Sequence, residues 1–207
     1  MTKKFKQKKR KITSEEKLEK RKKFLFSLFL AGIMLISVFS ISLYYVGEGR
    51  YRFEGHTFSL EQDGQNTYLV TRINRQKIPF YTQPEISSML KGDGNLTRFF
   101  DEAEYFMFTS NPYNNLSMNL DYIRYEFNTL TNKKMMGGVD DLYEGYDEDS
   151  VITCDDANYN VKVIHFIESN ETSFNLEGNC LKFNVEPREI LQVRDRMMLS
   201  VFKIINK

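Results

Sequence analysis

The sequence predicts an α+β domain held at a membrane by a single N-terminal transmembrane helix. Three observations carry that expectation: an uncharged apolar run of 23 residues, opposite charge on its two sides, and alternating short apolar runs after it. The expected organisation is a basic tail at 1–23, an anchor at 24–46 and an extracytoplasmic α+β domain at 47–207.

Residues 1–23 hold twelve Lys or Arg against three Glu, a net +9, whereas the rest of the chain has 17 basic and 25 acidic residues, a net −8. The whole-chain charge of +1 hides this split. Phe24–Val46 has no charge, and 15 of its 23 residues are Leu, Ile, Phe, Val or Met. As a helix it would be about 35 Å long, enough to cross a hydrocarbon core of about 30 Å. Tyr44 and Tyr45 fall where an interfacial aromatic belt belongs.

The rival reading is a cleaved signal peptide, whose apolar region spans about 7–15 residues. This run is longer, and only Ser40-Ile41-Ser42 offers small residues for a cut. The positive-inside rule keeps the lysines in the cytoplasm and sends residues 47–207 outward. The expected localisation is therefore the cell membrane, single-pass, with a signal-anchor and an outer domain. The tail's expected partners are the lipid bilayer and its anionic headgroups, at roughly 1 kcal/mol per basic residue. Thr13 with Glu16 matches a capping box for a helix running into the anchor. A competing role for the tail, recruiting RNA or ribosomes, lacks a stacking platform because Phe5 stands alone among the lysines.

Beyond residue 49 the pattern changes. Tyr51/Phe53, Phe58/Leu60, Tyr68/Val70 and Ile78/Phe80 alternate with polar residues, and Glu54-Gly55, Asp63-Gly64 and Asn74-Arg75 separate them as turns. This predicts a four-strand antiparallel meander. "QPEISSML" predicts a short helix opened by Pro84, and "EYFMFTS" a buried strand. Asn111-Pro112 then reads as a helix start, and Leu116, Leu120, Ile123, Phe127 and Leu130 form one apolar face. "KKMMGGVDD" is expected to end that helix. Further strands are expected at 151–154, 161–168, 172–177 and 180–185. A last amphipathic helix, about 187–205, places Ile190, Val193, Met197, Val201 and Ile204 on one side.

Cys154 and Cys180 are the only cysteines. Outside the cytosol a pair of this kind tends to be oxidised, so a disulfide is expected. Free thiols remain an alternative, as do metal binding and catalysis. A structural zinc site needs four ligands and only His165 lies nearby, while a redox pair would be spaced C-x-x-C. Eight acids between Asp140 and Asp156 lack the spacing of a calcium loop and read as a solvated segment. His56 has no second ligand at useful spacing, so neither a metal site nor a cofactor is expected. "FTSNP" offers backbone N–H groups to an anion, with ordinary capping the plainer reading. Asn95 and Asn170 are the candidate N-glycosylation sites, with Asn115 weaker because it falls on an expected helix.

The motifs "RYRFEGHTF", "KIPFYTQP", "FMFTSNP", "VITC", "VIHFIESNET", "GNCLKF" and "VRDRMMLSVFKII", behind the anchor, resemble a group of uncharacterised single-pass proteins of small-genome archaea. That resemblance implies no activity and carries over no catalytic residue. The expected function is a non-enzymatic binding or scaffolding module displayed outside the membrane, with a membrane-protein partner. The alternative is a cell-surface enzyme, either a hydrolase or a thiol-disulfide factor.

Overall fold

The computed structural model describes residues 50–205. The expected tail and anchor, with Thr13, Tyr44 and Tyr45, lie outside the described residues. Among the described residues no helix is long and apolar enough to cross a membrane.

The expected meander is present. Strands β1 (Arg50–Phe53), β2 (His56–Asp63), β3 (Asn66–Ile73) and β4 (Gln76–Phe80) pair antiparallel in sequence order. Two of its turns are two-residue reversals with both residues at positive φ, Glu54-Gly55 (47° and 79°) and Asn74-Arg75 (51° and 70°). That geometry matches the right-handed twist of the flanking strands. Tyr51, Phe53, Phe58, Ile78 and Phe80 point to the core. In β3 the apolar residues fall on both faces. Leu69 and Ile73 join the core, whereas Tyr68 and Val70 point to the opposite face.

The second sheet has six strands in the order β5-β9-β10-β8-β6-β7. They are β5 (Gly92–Asp93), β6 (Tyr105–Ser110), β7 (Lys134–Val139), β8 (Val161–Glu168), β9 (Ser173–Glu177) and β10 (Cys180–Val185). Neighbours among β10, β8, β6 and β7 run parallel, and β9 is antiparallel to β10. Strand β7 falls where "KKMMGGVDD" was expected only to end a helix. It follows that helix as the second strand of a β-α-β crossover from β6, at the sheet's edge. The expected strand at 151–154 reduces to one bridge, Val139 to Val151, followed by a 3-10 turn, Cys154–Asp156. Thr153 and Asp156 explain the change. The Asp156 carboxylate accepts from Thr153 N at 2.7 Å, and Thr153 Oγ1 accepts from Asp155 N at 3.3 Å, coiling the chain into a capped turn.

Among the described residues four α-helices accompany the sheets: α1 (Pro84–Ser88), α2 (Leu96–Asp101), α3 (Ser117–Leu130) and α4 (Ile190–Val201). Helix α2 was not expected from the sequence. Its N-cap is Asn95, whose side chain accepts from Arg98 N at 2.8 Å. Helix α3 begins six residues after Asn111. The Asn111 and Asn114 side chains accept from Tyr113 N and Leu116 N, so two local turns occupy the stretch first. Helix α4 stops at Val201 rather than near residue 205. Lys203 at φ 53° and the Ile204 N to Leu199 O bond (2.9 Å) close it in a Schellman-type turn.

The apolar face of α3 is buried as its period predicts, with Leu130 half-buried at its end. It meets Phe58 and Phe80 of the meander and Phe106, Phe108, Phe166 and Phe183 of the second sheet in one core. Helix α4 is buried around its whole middle, including the charged run Arg194-Asp195-Arg196.

Candidate binding surface

The two cysteines are bonded to each other, with Cα atoms 5.3 Å apart. Cys180 opens β10 and Cys154 sits in the capped turn, on the sheet face opposite the main core. There they join Ile152, Val163 and Met107 in a small second core. The bond fastens the long β7–β8 connection to the sheet. Replacing both cysteines by Ala is expected to lower stability by about 3.5 kcal/mol on chain-entropy grounds for a closed loop of this length. Urea unfolding of the oxidised parent against the double variant measures it, and an unchanged midpoint would show the connection to be held by other contacts.

His165 lies on that same sheet face but away from the sulfurs' chemistry, because both sulfurs are used. Its Nε2 is 3.1 Å from Asp140 Oδ2, and Tyr143 Oη donates to Asp140 Oδ1 at 2.9 Å. Burial and the Asp140 carboxylate push the Tyr143 hydroxyl up to about 12. These contacts hold the start of the acidic segment against β8. The remaining acids of 140–156 spread over an exposed loop, and among the described residues no cluster of His, Cys, Asp or Glu could hold a metal ion. His56 is half-buried on the meander, where Phe53 is its cross-strand partner.

A buried ionic hub, which sequence reasoning missed, joins the meander to α3 and α4. Arg194 Nε donates to Glu126 Oε2 at 2.9 Å, and its Nη1 donates to Asp195 Oδ1 at 2.7 Å and to the Pro79 carbonyl. Asp195 Oδ2 accepts from Tyr81 N (2.8 Å), Thr82 N (2.7 Å) and Thr82 Oγ1 (2.8 Å). Burial pushes the Asp195 carboxyl up from its ordinary range, opposed by Arg194 and Thr82. Since every one of these partners is a donor, the geometry is that of a carboxylate. Burial works to lower the Arg194 guanidinium, but the Asp195 and Glu126 charges outweigh it and raise it. The signal was present in the sequence: three consecutive charges sweep about 200° of a helix, too wide for one solvent-facing stripe.

The exposed side of α3 carries the clearest surface feature. Met118, Tyr122 and Tyr125 recur at steps of four and three and are 84%, 45% and 67% exposed. Helical spacing puts Ser117, Asp121 and Arg124 on one flank of that stripe and Glu126 on the other. The first flank borders a groove of about 570 Å³ lined by Ser110, Asp121, Arg124, Gly137, Tyr146 and others, at the carboxyl ends of β6 and β7. Open α/β sheets place ligands at that end of their strands. Arg124, paired with Asp121 at 2.8 Å, lies so close over Gly137 that a Cβ there would meet its guanidinium. Beside the groove, Asn115 donates through its backbone N (2.9 Å) and its side chain (2.7 Å) to Glu168, and these bonds hold that carboxyl below its usual range.

Of the sequon residues, Asn95 is exposed and caps α2, Asn170 is exposed between β8 and β9, and Asn115 is engaged by Glu168. No family model, curated protein or solved structure matches the chain.

Proposed function

We propose that this chain is a single-pass membrane-anchored protein whose disulfide-stabilised outer domain binds a membrane-protein partner through the outward face of α3, without catalysing a reaction. The observation that carries this reading is the exposed Met118–Tyr122–Tyr125 stripe on a helix whose opposite face packs into the core. Large apolar and aromatic side chains left in water along one ridge are characteristic of contact surfaces. The Cys154–Cys180 bond supports a domain that works in an oxidising compartment. The +9 tail beside the uncharged run supports an inward N-terminus. The surface-enzyme alternative draws only on the His165–Asp140 pair.

A photoreactive residue installed at position 118, in intact cells, tests topology and contact together. The expected result is one discrete cross-linked product, destroyed by protease added outside while an epitope at residue 5 survives. The same probe at residue 148, in the exposed acidic segment, should give no such product. A domain protected from external protease would overturn the topology. Identical products from both positions would overturn the α3 contact.

A further inference from the structure

We propose that the cavity between the outer face of the meander and α3 is a binding site for a quaternary ammonium ion, of which tetramethylammonium is the type. Three tyrosines wall it: Tyr68 from β3, Tyr81 just beyond β4, and Tyr122 from α3. The Tyr68 and Tyr81 ring centroids are 6.3 Å apart and tilted by 52°, and those of Tyr81 and Tyr122 are 6.4 Å apart and tilted by 57°. Rings so disposed surround a shared space instead of stacking on one another. Val70 and Pro79 also line this space, whose volume is about 340 Å³. Val70 is almost fully buried although it points away from the main core.

The chemistry of the lining suits a cation held by ring faces. Aromatic faces attract a positive charge placed within about 6 Å of the ring centroid, and quaternary ammonium ions are held well by several rings at once. The two hydroxyls nearest the hub are already engaged. Tyr81 Oη donates to Glu126 Oε1 at 2.9 Å and is 2.6 Å from Tyr122 Oη. Both donor hydrogens are therefore spent, and neither hydroxyl can serve an anion. The protein already uses Tyr81 in this way from within, since the buried Arg194 guanidinium lies 4.9 Å from its centroid.

Charge points the same way. Lys77 is the resident cation of the cavity wall, but Glu61 takes its ammonium at 2.8 Å in a pair that crosses β3. Asp63, also in the lining, has no ion pair among the described residues. Behind the rings the hub holds two carboxylates, Glu126 and Asp195, against the single guanidinium of Arg194. An incoming cation thus meets π faces in front and net negative charge on both sides. The inference stands whether or not the outward face of α3 meets a protein partner, with which it shares only Tyr122.

The test is ¹⁹F NMR of the full chain carrying 3-fluorotyrosine, held in maltoside micelles that contain no ammonium headgroup. Tetramethylammonium chloride is expected to shift the Tyr68, Tyr81 and Tyr122 signals saturably and to leave Tyr159, remote in sequence and exposed, unmoved. Sodium chloride at equal ionic strength should do nothing, and 3,3-dimethylbutanol, the neutral isostere of choline, should bind about tenfold more weakly or less. Tyr122→Leu and Tyr68→Leu should each weaken binding about three- to tenfold, the range one ring contributes. Asp63→Asn, an exposed change with no packing consequence, should weaken it about two- to fivefold. Free choline and phosphatidylcholine nanodiscs, with phosphatidylglycerol nanodiscs as control, distinguish a soluble ligand from a lipid headgroup. A response to either choline source supports the site. No saturable shift with any ammonium probe, or an isostere as effective as the cation, overturns it.

Discussion

Arg194→Met is expected to cost the domain about 3–5 kcal/mol, because it strands the Glu126 and Asp195 carboxylates in the interior. The ledger of such a site is lopsided. A completed buried pair adds little over well-packed apolar residues, whereas removing one partner leaves an uncompensated charge. Arg194→Lys should not rescue it, since one ammonium cannot reach Glu126, Asp195 and the Pro79 carbonyl in the planar fork that the guanidinium provides. Glu126→Leu added to Arg194→Met should recover part of the loss, which a double-mutant cycle on the 47–207 fragment measures. The deficit should also narrow from pH 7 to pH 5. Burial raises the folded pKa of the Asp195 carboxyl and Arg194 opposes that rise, so without Arg194 the carboxyl stabilises the fold as pH falls through its raised value. Strict additivity of the two substitutions, with a deficit independent of pH, would show that the three side chains do not act as a unit.

Much of the fold is legible in the sequence because local chemistry and tertiary demand agree. The meander is the plainest case: turn residues that tolerate positive φ separate runs with a period of two. Strand β7 was hidden because "MMGGV" has no alternation, and its glycines serve distant neighbours. Gly137 leaves room for Arg124, and Gly138 for the Ser150 carbonyl and Ile152. Neither requirement exists until the helix and the loop have folded back onto the strand. The parallel order of β10, β8, β6 and β7 was equally hidden, since orientation is set by crossovers and not by the strands' own residues. The two sulfurs are bonded, and that cysteine pairing was expected from their count and an expected oxidising compartment. The tyrosine cavity was not, because it draws on β3, the end of β4 and α3. Tyr68 and Val70 read as one more alternating pair, yet in β3 the other parity carries Leu69 and Ile73 to the core. A strand with apolar residues on both faces conceals which of them meets the outside.

Phe127→Ala is expected to destabilise the 47–207 fragment by about 3–5 kcal/mol and to lower its melting temperature by about 10 °C or more. The ring is wholly buried, 5.9 Å from Phe100 and 6.1 Å from Phe108 between centroids, at the point where α3 meets both α2 and the second sheet. Close-packed aromatic neighbours cannot collapse into the space left behind, so the lost contacts add to the lost transfer energy. Glu148→Ala is the matched control. That residue lies exposed in the 3-10 turn Glu148–Ser150, and its change should stay within about 0.5 kcal/mol. The pair separates residues that hold α3 in place from those that surround it in water. Only if the packed face of α3 is fixed in this way can its outward face present Met118, Tyr122 and Tyr125 as a rigid ridge. Were Phe127→Ala silent, the face taken as core would be open to solvent, and the ridge would lose its footing. Were Glu148→Ala instead to abolish a bound ion or an activity, the acidic segment would be a site rather than a solvated connection.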